Sequence, residues 1–88
     1  MERENSFTIY PNPVTNGIIN LHFAGMREGS FTTILTNAVG QVLIEKQFIH
    51  SVANNTYTIV VSNLIKGVCQ LQIVQPGQLP KTWKILLQ

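Results

Sequence analysis

The chain has 88 residues, of which 44% are hydrophobic and only 11% charged, with a formal charge of +2. That length supports one small core and no second domain, and the low charge leaves Asn, Gln, Ser and Thr to cover the surface. The six Lys and Arg residues are scattered, which argues against a focused nucleic-acid footprint. No apolar run is long enough to cross a bilayer, and a single cysteine excludes an internal disulfide.

Gly and Pro punctuate the chain at short intervals, and the stretches between them alternate with period two. Residues 1–6 lack the apolar segment of a signal peptide and read as a linker or leader, so 7–88 is expected to be one domain and the tail of a longer precursor. Phe7 and Ile9 share the inner face of a first strand, which Pro11 and Pro13 terminate by removing backbone donors. Asn16-Gly17 signals a turn. Ile19, Leu21 and Phe23 then alternate with Ile18, Asn20 and His22 in a second strand.

Phe31, Thr33 and Leu35 form the inward set of a third strand, ending at Asn37, where NAVG needs a tight turn with a positive φ at Gly40. Residues 42–49 return as a fourth. Val42, Ile44 and Phe48 point one way and Leu43 and Ile49 the other, as in a strand that is bulged or covered on both faces. A polar loop, 51–55, precedes a fifth strand with Tyr57, Ile59 and Val61 inward, and Leu64 plugs the turn after it. Gly67 opens a sixth, with Cys69, Leu71 and Ile73 inward, closed by Pro76-Gly77. The seventh, 82–87, turns Trp83, Ile85 and Leu87 inward. Seven strands and no credible helix predict an all-β, seven-stranded antiparallel immunoglobulin-like β-sandwich, with a small closed barrel as the alternative.

Catalytic chemistry finds few parts. There is no Asp, and Glu2, Glu4, Glu28 and Glu45 show no spacing that would pair them. His22 and His50 read as solvent-facing, without HxH or HExxH spacing and without a second cysteine, so no metal and no cofactor is expected. Cys69 could make a nucleophile pair with a histidine, but alternation places it in the core as a small hydrophobe with a raised pKa. The aromatic residues fall mostly on inward positions, which favours packing over a carbohydrate or base-stacking platform; Tyr10 is left open. The chain is read as no enzyme.

Four short signals recur in fixed order: FTIYPNPVTNG, NAVGQV, LIKGVCQLQIV and KTWKILLQ. Together they resemble the type A C-terminal sorting domain of the type IX secretion system over residues 7–88, with Cys69 standing where that pattern usually has Tyr. The resemblance implies a signal that directs a larger, covalently attached cargo across the outer membrane of Bacteroidetes-type bacteria. It implies a translocon, a shuttle protein and a sortase as partners, periplasmic transit, sortase cleavage and a final place on the surface or outside the cell. It also points to Tyr10, Pro11, Asn12, Pro13, Gly40, Lys66, Gly67, Lys84, Ile85, Leu86, Leu87 and Gln88 as recognition residues. Strand addition at an exposed sheet edge is one physical mode open to a receptor, with the end of the seventh strand left free for it. The alternative is an immunoglobulin-like accessory module, a glycan binder or spacer in an extracellular enzyme, which should expose two or more aromatic side chains on one face.

Overall fold

A computed structural model describes residues 6–24, 28–51, 56–64 and 66–88. Seven strands form: β1 (Ser6–Tyr10), β2 (Ile18–Ala24), β3 (Gly29–Asn37), β4 (Val42–His50), β5 (Thr56–Val60), β6 (Gly67–Val74) and β7 (Lys81–Leu87). They make two separate antiparallel sheets, ordered β1-β2-β5 and β4-β3-β6-β7. No strand belongs to both, so the molecule is an open three-on-four sandwich, consistent with the immunoglobulin-like type, and not a closed barrel. No helix occurs among the described residues.

Alternation sets which side chains meet between the sheets. Ile19, Leu21 and Phe23 of β2 face Phe31 and Leu35 of β3 and Leu71 and Ile73 of β6, with Tyr57, Ile59, Cys69, Ile85 and Leu87 completing the core. Removing each such side chain from water contributes roughly 1.5–3 kcal/mol. Ile9 and Trp83, expected inside, are only half-buried, because each belongs to an outermost strand where the facing layer thins. Phe7 lies in β1, but its side chain is outside the described residues, as is most of the loop expected at 51–55.

The ambiguous fourth strand resolves as a bulge. Leu35 pairs with Ile44 but Thr36 pairs with Val42, leaving Leu43 as the extra residue. Ile44 and Phe48 therefore pack against the core while Val42, expected beside them, is exposed. The same alternation corrects the reading of His50: it shares the inner face of β4 with Phe48 and is 6% exposed. Its ring lies 5.3 Å from that of Phe23, and its Nδ1 is 3.3 Å from the Tyr57 hydroxyl, which donates to the carbonyl of Ile49 at 2.9 Å. His22 is half-buried on β2, its Nδ1 3.1 Å from the Thr56 hydroxyl.

Candidate functional site

Strand direction sorts the connections into two ends. β1, β3, β5 and β7 run toward one pole and β2, β4 and β6 away from it, as their antiparallel pairings and the crossing of the two sheets require. The segment 11–17, the turn 38–41, residues 61–64 and 66, and Gln88 therefore meet at that pole. Ser6, where the described chain enters, lies at the other. Every candidate recognition residue named above lies on these connections or on the strand ends that meet them, except Lys84, which sits midway along β7.

The first part of the pole is a strap. Pro11 and Pro13 have no N–H to give, so the ladder of β1 stops and the chain leaves its sheet. Both X–Pro bonds, Tyr10–Pro11 and Asn12–Pro13, are cis. The strap then lies along the outer edge of β7. The side-chain amide of Asn12 acts as a peptide group would: Nδ2 donates to the Lys84 carbonyl at 3.1 Å, and Oδ1 accepts from the Leu86 N–H at 3.3 Å. Val14 continues the ladder with its backbone, donating to the Leu86 carbonyl at 2.7 Å and accepting from the Gln88 N–H at 2.8 Å. Its side chain is fully buried and closes this end of the core.

The outer edge of β7 is thus occupied along 84–88. Any partner that adds a strand there must first displace residues 12–14. Ile85 and Leu87 are core residues and shape the site only through the fold. Tyr10, Asn12, Pro13, Lys84 and Gln88 are exposed, while Pro11 and Leu86 are half-buried.

The other parts are tight turns. Asn16 Oδ1 accepts from the Ile18 N–H at 3.2 Å, and Gly17, at φ 76°, offers its carbonyl to the Val61 N–H at 2.8 Å. In the β3–β4 turn, Asn37 Oδ1 accepts from the N–H groups of Val39 and Gln41, both at 3.0 Å. This holds Gly40 at the expected positive φ of 89°. Leu64 is half-buried against the core, and Lys66 beyond it is exposed.

Two concavities flank Leu64 and Lys66. One, of about 270 Å³, is bounded by Val14, Gly17, Val61 and Gln88. The other, of about 430 Å³, lies between the 37–41 turn and β6, with Leu43, Val68 and Cys69 among its walls. Val39 and Val68 expose apolar surface beside the second, and Tyr10 is exposed at the end of β1. Among the described residues Lys66 is the charged side chain of this end; Lys84 lies midway along β7, and the two described carboxylates, Glu28 and Glu45, lie at the opposite pole and midway along β4. The pole mixes apolar patches with amide and hydroxyl side chains, and Lys66 gives it a positive charge.

Chemistry of other kinds has little to work with. Cys69 is 2% exposed, and burial pushes its thiol above the usual range, so the nucleophilic thiolate is disfavoured. No three His, Cys, Asp or Glu side chains gather into a metal-sized group among the described residues. No helix among them is long and apolar enough to cross a membrane. Among the described side chains Tyr10 is the one exposed aromatic, short of the pair a glycan platform would present.

Sequence reasoning missed Val14 and the strap's attachment to β7. The only available signal was the amide of Asn12 set between two prolines, a residue able to replace a backbone that cannot donate.

A family model described as the secretion system C-terminal sorting domain matches residues 8–88. No curated protein matches the chain.

Proposed function

Because the chain belongs to the secretion system C-terminal sorting domains, the sorting signals of the type IX secretion system, we propose that the strap-closed pole is the face its transport machinery binds. The domain directs an attached cargo across the outer membrane to the cell surface or the extracellular space. It acts by being bound and performs no catalysis of its own. Burial of Cys69, and the engagement of His22 and His50 with Thr56 and Tyr57, support that reading.

The observation that carries the proposal is the joining of Asn12 and Val14 to Lys84–Gln88. It builds one surface from parts of the chain more than seventy residues apart, with Lys66 exposed on the border of both concavities and Lys84 exposed on β7 beside the strap. A shuttle or translocon component presenting carboxylates around an apolar projection complements it. Cargo enters at the opposite pole, next to Ser6. In our reading the domain reaches the machinery through the periplasm, and a sortase cuts upstream of β1 while the binding pole is engaged.

The test is a reporter carrying a signal peptide and this chain, expressed in a bacterium with the type IX machinery. Lys66→Glu with Lys84→Glu should reduce export severalfold while the purified domain keeps its β spectrum and melting temperature. A short polar tail after Gln88 should also reduce it, since it crowds the concavity that Gln88 borders. Full export of the folded charge-reversed protein would refute the assignment of the pole.

A further inference from the structure

The sandwich has four outermost strands, and three of them are protected against pairing. β7 is covered by Asn12 and Val14 along 84–88. β4 carries Glu45 and Lys46 and the bulge at Leu43. β1 runs directly into Pro11. β5 has none of these devices: Thr56–Val60 reads TYTIV, without charge, proline or bulge, and pairs only with β2 among the described residues.

Which backbone groups it offers follows from register. The Val61 N–H donates to the Gly17 carbonyl, so in the same ladder Ile59 and Tyr57 also turn their backbone groups toward β2. Thr58 and Val60 then direct theirs away from the sheet. Their side chains are exposed on its outer face, Val60 at 60%. Beside this edge runs a groove of about 540 Å³ bordered by Lys46, Phe48 and Ile49, which leaves room for another strand.

We propose that this edge is a pairing surface and that its occupant is β5 of a second copy of the chain. In an antiparallel contact about a twofold axis at Ile59, Thr58 faces Val60 of the partner subunit and Val60 faces Thr58 of the partner subunit. Each pair exchanges both its hydrogen bonds. The contact is self-complementary, with β-branched side chains opposed on the outer face. Charge favours it as well. β1, β2 and β5 contain no Lys, Arg, Asp or Glu, so no charged side chain of the joined sheet is set against its own copy across the axis, and Lys46, on the far border of the groove, belongs to the other sheet. The three-stranded sheets join into one continuous sheet across the dimer, leaving the sorting pole and the Ser6 end of each copy uncovered. So short a contact is weak and governed by concentration.

Light scattering and sedimentation equilibrium of the 88-residue chain test this. The mass should rise from 9.8 kDa toward twice that value as the protein is concentrated. Thr58→Pro should abolish the rise: it removes one outward N–H and places the ring on the solvent side, a position an edge strand tolerates. Val60→Lys and Thr58→Glu should each weaken the dimer, and mixing the two should restore it, because Lys and Glu then lie directly opposite. A constant mass of 9.8 kDa, a mass growing past two chains, or a dimer unaffected by Thr58→Pro would each overturn the proposal. If Thr58→Pro fails to fold, the mixing experiment decides: restored association supports the contact, and no restoration overturns it.

Discussion

Replacing Asn12 by Ala removes both side-chain bonds that fasten the strap to β7 and leaves the two backbone bonds of Val14 in place. The bonds lost measure 3.1 and 3.3 Å, long for their type, and lie at the surface, where water can take over the Lys84 carbonyl and the Leu86 N–H. Each therefore falls at the low end of the usual net contribution, about 0.5 kcal/mol, for a sum of about 1 kcal/mol. In a domain of this size that is a fall of roughly 4–8 °C in melting temperature. The sharper readout is amide exchange. Leu86 donates to Asn12 and should lose protection, whereas Gln88 donates to the Val14 carbonyl and should keep it. Equal loss at both amides would mean that the strap moves as one unit, and no loss at either would mean that the Asn12 amide does not bridge. A cost above about 3 kcal/mol would refute the premise that water replaces these partners.

Gly40→Ala should cost about 1–2 kcal/mol, the strain of a side chain at φ 89° in open space. Gly17→Ala should cost about 1–3 kcal/mol more, since its Cβ would stand 2.7 Å from that of Ser62; equal losses in denaturant titrations would argue against that packing. Stability should also fall in alkali. Burial raises the Cys69 thiol, and raises Tyr57 against a smaller lowering by a backbone hydrogen bond at Ser51, so the folded state holds protons that the unfolded state has released. This contribution is complete below the unfolded thiol value of about 8.5 and is lost as pH climbs through the raised folded value. Cys69→Ser should flatten the decline in denaturation midpoint across that range; an unchanged slope would show that Cys69 does not drive it.

Most of the architecture was legible because period two is written directly in residues such as Ile19, Leu21 and Phe23, and one inward set per strand is enough to build two facing layers. The bulge at Leu43 was visible as a conflict in that pattern, though its resolution required the pairing of Leu35 and Thr36 across the hairpin. His50 was misread because its polarity was weighed above its position, two residues beyond Phe48 on the same face. Val14 sits in PNPVTNG, which has no period at all, and its burial depends on the long-range bridge to β7. The candidate pole was legible as a set of separate turns. That they converge depends on how strands cross between sheets, and short-range patterns carry no record of it.

The bond from Asn12 to Lys84 spans 72 positions of sequence. Closing so long a loop is entropically unfavourable and comes late relative to local pairing, so β1 and β2 can associate before the strap has anything to grip. During synthesis Asn12 and Val14 wait, with their bonding groups in water, until residues 84–88 have been made and laid against β6. A chain interrupted upstream of that point can contain six correct strands and still lack the pole. A receptor that reads this surface is therefore reading a conjunction of early and late sequence, one that exists only once this domain itself has folded.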